Sequence, residues 1–293
     1  MKCWVTGTAG LIGGTLMRSP GIPQTWEAVA LHRGVLELTD FSAVERRFEA
    51  DRPLALIHCA AMSRSPQCQQ EPAKARLWNI DVTRHLAGLF AGRRMVFLST
   101  DLVFDGQRGG YGEDSAVGPL SIYAETKVEA EQWVLRDPRH LVVRTSLNHG
   151  RSTTADRGFN EEMVRAWRAG RTLQLFRDEY RSPIPAEHTA RALWELLVKE
   201  CGGILHLAGA QRLSRWEIGC ALAATLEGEG LACPIEPGSL RDYNGAPRPP
   251  DTSLDSSRAQ ALLGFRLPGY AEWLAAGSPP AFPDSGSRCG GQR

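Results

Sequence analysis

Tyr123 and Lys127 stand four residues apart in a segment that reads as a helix, so the phenol and the ammonium share one face. Just ahead of them, Ser99, Thr100 and Asp101 close the apolar run Met95–Val96–Phe97–Leu98. These residue types suit proton donation to an oxygen that turns negative when a carbonyl accepts hydride. A free tyrosine has a pKa of about 10, so its phenolate is costly at neutral pH. A lysine cation about 4 Å away, at an effective dielectric of about 20, favours the phenolate by roughly 4 kcal/mol, or about 3 pKa units. The expectation is a phenol brought near the working pH, where general acid–base catalysis is most effective. The spacing alone is not specific, because tyrosine and lysine fall four apart on many solvated helix faces.

The N-terminus supplies the context. Lys2–Val5 reads as a short strand, followed by Thr6-Gly7-Thr8-Ala9-Gly10-Leu11-Ile12-Gly13 and a helical pattern through Arg18. Gly7 permits the tight turn, Gly10 lets the backbone approach a pyrophosphate, and Gly13 lets helix and strand pack closely. Thr8, Ala9, Leu11 and Ile12 complete a loop whose amides, at a helix N-terminus, favour an anion. Such a turn directly after a first strand points to dinucleotide binding.

With 293 residues the chain can form one large or two small domains around a substantial core. A hydrophobic content of 42% and a charged content of 23% are those of a soluble globular protein. A net charge of +1 with scattered arginines gives no reason to expect a nucleic-acid or acidic-membrane partner. The chain opens directly into a strand, which argues against a signal peptide, and no apolar run approaches membrane-spanning length. The seven cysteines are dispersed and never in a C-x-x-C pair. They read as reduced thiols of a cytoplasmic protein, with no metal site expected.

Strand-like segments at Lys2–Thr6, Ala28–His32, Ala55–Cys59, Met95–Ser99 and Leu141–Arg144 alternate with helical patterns. Those helical patterns span Leu11–Arg18, Ser42–Ala50, Ala73–Phe90 and Ile122–Leu135, and a later strand falls at Ile204–Leu207. Ser42 with Glu45 reads as a capping box. Alternation of this kind requires right-handed crossovers and a doubly wound, Rossmann-type, mostly parallel α/β sheet. Ligands then gather at the carboxyl ends of the strands, where Gly7, Cys59–Ala61 and Ser99–Asp101 fall. Residues 1–145 and 186–210 are assigned to the dinucleotide-binding domain. Residues 146–185 and 211–275, with helices near Phe159–Ala169 and Arg215–Leu226, are assigned to a smaller substrate-binding lobe, and 276–293 to a disordered tail.

With these residues placed, the chain resembles the extended short-chain dehydrogenases/reductases, and among them the dTDP-4-dehydrorhamnose reductase group. Ser99-Thr100-Asp101-Leu102-Val103-Phe104-Asp105-Gly106 is similar to that group's S-T-D-Y-V-F-D-G. His58-Cys59-Ala60-Ala61-Met62-Ser63 is similar to the segment lining the cofactor groove, and Asn79 falls on a supporting asparagine. Tyr123-x-x-x-Lys127, Asp178–Pro183 and Arg248-Pro249 continue the pattern. The resemblance implies that Thr100 holds the substrate carbonyl, Tyr123 donates the proton, and Lys127 binds the nicotinamide ribose and lowers the tyrosine pKa. Cys59, Ala60, Ala61 and Ser99 would line the cofactor groove, with Asn79 bonding a neighbouring strand's backbone. Ser63 and Asp101 would face the substrate, Asp101 orienting a hydroxyl or capping the segment after it.

The second strand ends in Leu31-His32-Arg33, without the acid that accepts ribose hydroxyls in an NAD site. Arg33 can neutralise a 2′-phosphate and stack on adenine, which favours NADP(H) over NAD(H). Glu37 and the backbone of Leu38 are the adenine candidates, and Asp40 reads as a helix start. Arg181 and Arg248 are candidates to hold a substrate phosphate. Substitutions gather on the substrate side: Leu102 replaces a tyrosine, Leu147-Asn148-His149 an aromatic W-V-Y, and Gly158 an asparagine.

The reading is an NADP(H)-dependent reductase of a keto group on a nucleotide-linked sugar, with homodimerisation open. An epimerase of the same superfamily stays open, while Leu102 in place of a second carboxylate disfavours dehydration. The alternative from another class is a non-catalytic dinucleotide-binding protein, such as the regulatory beta subunit of methionine adenosyltransferase, which resembles the same group.

Overall fold

The computed structural model describes residues 1–277, so nearly all of the segment expected as a tail lies outside the described residues. Six strands form one parallel sheet: β1 (Lys2–Thr6), β2 (Glu27–Leu31), β3 (Ala55–His58), β4 (Arg94–Thr100), β5 (Leu141–Thr145) and β6 (Gly203–Leu207). Their order is β2-β1-β3-β4-β5-β6. Strands β3 and β5 are buried along their whole length, as expected of a parallel sheet covered on both faces. The side-chain alternation of strands then sorts neighbours to opposite sides. Val5, Ile57 and Val143 enter one core, and Trp4, Leu56 and Val142 the other.

Helices α1 (Leu11–Arg18) and α6 (Ala186–Val198) cover the first face, where Trp194 is fully buried and its indole N–H donates to the Leu16 carbonyl at 3.2 Å. Helices α2 (Phe41–Asp51), α3 (Val82–Leu89) and α4 (Ile122–Val134) cover the second. The capping box expected at Ser42 does not form. Asp40 caps α2 by accepting from the Ala43 amide at 2.9 Å, and Ser42 lies inside the helix. The helix expected over 73–90 is interrupted. A short helix Pro72–Arg76 passes into a π-turn, Leu77–Asp81, before α3 begins.

The chain leaves β1 for β2 on one side and returns to β3 on the other. This reversal opens a crevice at the carboxyl ends of β1 and β3. The ladder register sets Thr6 beside His58, and Thr100 beside Thr145, so those ends present side chains at one edge.

A third core lies over that edge. It joins α5 (Phe159–Arg168) and α7 (Arg215–Glu227) through Met163, Trp167, Ile218 and Leu222, with Tyr270 and Trp273 closing it. The segment Ser257–Leu262, expected in this lobe, packs elsewhere. Ala259, Leu263 and Leu267 join the first core and shield the edge strand β6. Among the described residues no helix is long and apolar enough to cross a membrane.

Candidate active site

Thr100 ends β4 and caps the turn Asp101–Val103, accepting from the Leu102 amide at 3.2 Å. Ser121 caps α4 by accepting from the Ala124 amide at 3.3 Å, which fixes where the helix begins and hence where Tyr123 points. The Thr100 hydroxyl, which donates to Asp101 Oδ1 at 3.2 Å, is near enough to the Tyr123 phenol to favour its ionised form. One turn on, the Lys127 ammonium donates to the Leu98 carbonyl at 2.7 Å and lies 3.8 Å from the centre of the Phe97 ring. Strand β4 therefore anchors both members of the pair.

The electrostatics differ from the sequence expectation. Burial holds the Tyr123 phenol above its ordinary range, only partly offset by the Thr100 hydroxyl, and the Asp101 charge adds to the rise. Burial also pushes the Lys127 ammonium down to about 7, with Glu131 and Cys59 acting in the opposite sense. The lysine is turned to a backbone carbonyl and an aromatic face, so desolvation dominates the phenol instead of the neighbouring cation.

A chain of hydrogen bonds connects this pair to the glycine turn. Thr6 Oγ1 accepts from the Cys59 and Ala60 amides at 3.1 and 3.2 Å, so its own proton goes to His58 Nδ1 at 2.7 Å. His58 Nε2 then donates to Thr83 Oγ1 at 3.2 Å, and Thr83 donates to the Asn79 carbonyl at 2.7 Å. Burial pushes the His58 imidazolium down to about 3, with Lys127 adding to the effect, so the ring is neutral as the network requires. Asn79, in the π-turn, accepts from the Met62 amide at 2.8 Å and donates to Thr126 Oγ1 at 2.9 Å, one residue before Lys127. The π-turn widens the helix where this amide must reach two elements at once.

The turn itself has the shape a dinucleotide needs. Gly7 has φ +72°, and a Cβ there would lie 2.8 Å from the Ala60 amide nitrogen. Gly10 caps α1 without a side chain, and the first amides of α1 have no intrahelical acceptor. The Thr8 hydroxyl is buried and has no partner among the described residues, which suits a phosphate oxygen. Ala9 is the exposed tip, Leu11 is buried at the start of α1, and Ile12 packs against the first core. Cys59, Ala60 and Ala61 lie half-buried beyond β3, with Ser63 exposed past them. Burial pushes the Cys59 thiol up to about 12, which makes it inert. Arg33 is exposed, its guanidinium 4.7 Å from the centre of the Trp78 ring and 3.7 Å from Glu37. Glu37 also accepts from Thr39 Oγ1 at 2.9 Å, and Leu38 is buried.

Four expected site residues are engaged elsewhere. The Ser99 hydroxyl donates to Glu131 at 2.5 Å, and Glu131 is held by Arg144 at 2.7 Å in a buried pair. Asp101 accepts from Ser146 at 2.8 Å and Thr252 at 2.9 Å, tying β4 to the lobe instead of presenting a free carboxylate. Its carboxyl is raised by burial, against Arg181 and these hydroxyls. Arg181 is buried on Glu179 at 3.0 Å, and Arg248 grips the same carboxylate with two bonds of 2.8 Å. Sequence reasoning missed Glu131 and Glu179; a glutamate four residues after Lys127 was the one visible signal.

A glycine turn at the switch point, joined to a threonine–tyrosine–lysine set, defines a dinucleotide-dependent oxidoreductase of the extended short-chain dehydrogenase/reductase class. The chain belongs to the family of the RmlD substrate binding domain, whose model matches residues 1–277. It is 30% identical to a dTDP-4-dehydrorhamnose reductase of Streptomyces griseus, over 94% of this chain and 88% of that one. It is 25% identical to methionine adenosyltransferase 2 subunit beta of Xenopus laevis, over 91% and 84%. Its fold matches dTDP-4-dehydrorhamnose reductase from Bacillus anthracis, solved in complex with NADP, with a TM-score of 0.85. That match has 24% identity and covers 94% and 97% of the two chains.

Proposed function

We propose that this protein reduces a keto group on a nucleotide-linked sugar with NADPH. The observation that carries this reading is the placing of Tyr123 beside Thr100 and one helical turn from Lys127, on a helix wired through Asn79 and His58 to the glycine turn. The 30% identity to the Streptomyces griseus reductase supports the substrate class. The NADP held by the Bacillus anthracis protein and the exposed Arg33 beside Trp78 support the choice of NADPH.

Reduced nicotinamide, when bound, supplies the hydride. Thr100 and Tyr123 donate hydrogen bonds to the carbonyl oxygen and fix its position. Because burial keeps the phenol protonated, Tyr123 holds its proton until that oxygen gains charge, then releases it. Lys127, whose ammonium is held on the Leu98 carbonyl one helical turn from Tyr123, would hold a ribose hydroxyl of the bound cofactor. The glycine turn and the first amides of α1 hold the pyrophosphate.

The test is a panel of nucleotide-linked 4-keto sugars assayed by loss of NADPH absorbance. Tyr123→Phe is expected to lower turnover by roughly 100-fold or more. Undiminished NADPH oxidation by that variant would refute the assigned acid. The second reading, a dinucleotide-binding subunit, draws on the likeness to methionine adenosyltransferase 2 subunit beta. Tight NADPH binding without turnover on any keto-sugar, together with a co-purifying partner, would favour it.

A further inference from the structure

Two neighbouring residues of β4 receive side chains from the helix that carries Tyr123. The Lys127 ammonium donates to the Leu98 carbonyl at 2.7 Å, and one turn on, Glu131 Oε1 accepts from the Ser99 hydroxyl at 2.5 Å. Arg144, directly beside Ser99 in the ladder of β4 and β5, grips the same carboxylate. Its Nη2 donates to Glu131 Oε2 at 2.7 Å and its Nε to Oε1 at 3.1 Å. Lys127, Glu131 and Arg144 are 2%, 3% and 3% exposed, so two cations and one carboxylate are shut away from water together.

Stability alone does not explain this cluster. Desolvation of a buried ion pair can cancel its attraction, and apolar residues of similar volume often serve a fold as well or better. Arg144 Nη1 has no partner among the described residues, and neither has Nε2 of His206, its neighbour across the ladder on β6. Two buried polar atoms without partners subtract further from any gain. What apolar residues cannot supply is a negative charge one helical turn from Lys127, where side chains four apart are neighbours.

The elements packed around α4 leave Glu131 as the carboxylate that faces the ammonium. On β3 and just beyond it, burial keeps the His58 ring a neutral imidazole and Cys59 a neutral thiol. In the segments before β4, Arg76 pairs with Glu129 on the outer side of α4, Arg84 with Asp81, and His85 lies by Glu45. Asp101 and the Cys68 thiol act on Tyr123, and Glu125 is exposed. On β6, the His206 ring donates through Nδ1 to the Tyr111 carbonyl at 2.9 Å, and burial holds its imidazolium down. Burial opposes the Lys127 charge, and Glu131 is the foremost group supporting it.

We infer that Glu131 is a positioning residue for the Tyr123–Lys127 pair: bound to Ser99 and Arg144, it fixes the face that α4 turns to β4 and supplies the negative charge that keeps the Lys127 amine an ammonium. Arg144 in turn keeps the buried Glu131 ionised and aimed inward. A charged lysine donates to a ribose hydroxyl more strongly than a neutral amine, which is how Glu131 would reach the reaction without touching substrate or cofactor. The inference rests on the reductase reading proposed above.

The experiment is a pH titration, followed by NMR, of the full chain labelled with carbon-13 at the lysine ε-carbons. The chain has four lysines, and the Lys127 signal is the one missing from Lys127→Met. Glu131→Gln keeps the shape of the side chain and loses its charge, so Lys127 is expected to release its proton at least about one pH unit below wild type. That variant leaves Arg144 buried without its carboxylate and should melt earlier. Should it not fold, the double variant Glu131→Leu with Arg144→Met removes both charges and keeps an apolar fit. The double variant should melt near wild type, yet its lysine should still titrate at the lower pH. NADPH affinity at mildly alkaline pH should fall severalfold in both, with the alkaline loss of turnover moved to lower pH. A Lys127 titration unmoved in both variants overturns the inference even if stability and turnover fall, because a purely structural clamp would produce that result. The lysine titration is read without any substrate, and the reductase reading fails separately, through undiminished NADPH oxidation by Tyr123→Phe.

Discussion

Gly13 stands so close to Gly7 that a methyl group on it would lie 2.3 Å from the Gly7 carbonyl oxygen and 2.9 Å from the Thr8 amide nitrogen. Both obstacles are backbone, and both belong to the turn that must hold the dinucleotide.

Gly13→Ala is therefore expected to destabilise the fold by about 1–3 kcal/mol and to abolish NADPH binding. Gly10→Ala, whose nearest obstacle is the Gly7 oxygen at 3.2 Å, should cost the fold far less while still weakening NADPH binding. Denaturant midpoints and NADPH fluorescence titrations of the two variants check the contrast.

Lys127→Met should lose roughly 100-fold or more of activity and change the pH dependence of stability. The unfolded lysine keeps its proton to pH about 10.4, whereas the folded one releases it near about 7. Between those values the unfolded state binds more protons, so this residue's contribution makes stability rise with pH. Unfolding free energies at pH 6 and pH 9 should rise more in wild type than in Lys127→Met; parallel behaviour would contradict the assignment.

Arg33→Ala should lower the preference for NADPH over NADH by roughly tenfold or more and leave NADH affinity nearly unchanged. Its exposed guanidinium touches only Trp78 and Glu37 among the described residues, so the fold should not suffer. Dissociation constants for the two cofactors decide it.

His149→Phe should stabilise the protein. Two buried ring nitrogens without partners cost about 1–3 kcal/mol, and an aromatic ring of similar shape suits the contacts with Tyr270 and Trp273. Burial, with His188 adding, pushes the imidazolium down to about 3, while the unfolded ring titrates near about 6.5. Wild type therefore loses stability as pH falls between those values, by about 2 kcal/mol from pH 7 to pH 5, and the variant escapes that loss. Thermal unfolding at both pH values would reveal the gap widening on the acid side.

The chemistry-bearing core of the site was legible because it is local. Tyr123 and Lys127 are joined by helix geometry, and Gly7, Gly10 and Gly13 by the demands of one turn. The alternation of strands and helices likewise sufficed for the parallel sheet and the crevice at its carboxyl edge. Local patterns misled where two solutions competed, as at the start of α2, where Asp40 reached the Ala43 amide and left Ser42 inside the helix.

What the chain order could not reveal was partnership at a distance. Arg181 and Arg248 carry the same fork-shaped cation wherever they fall. Only the folded chain brings Glu179 between them. The same holds for the sign of the shift on Tyr123. Spacing placed a cation one turn away, but the depth of burial and the Leu98 carbonyl decided where that charge acts. Sequence fixes which groups exist and which neighbours share a turn; desolvation and long-range pairing depend on what the fold packs around them.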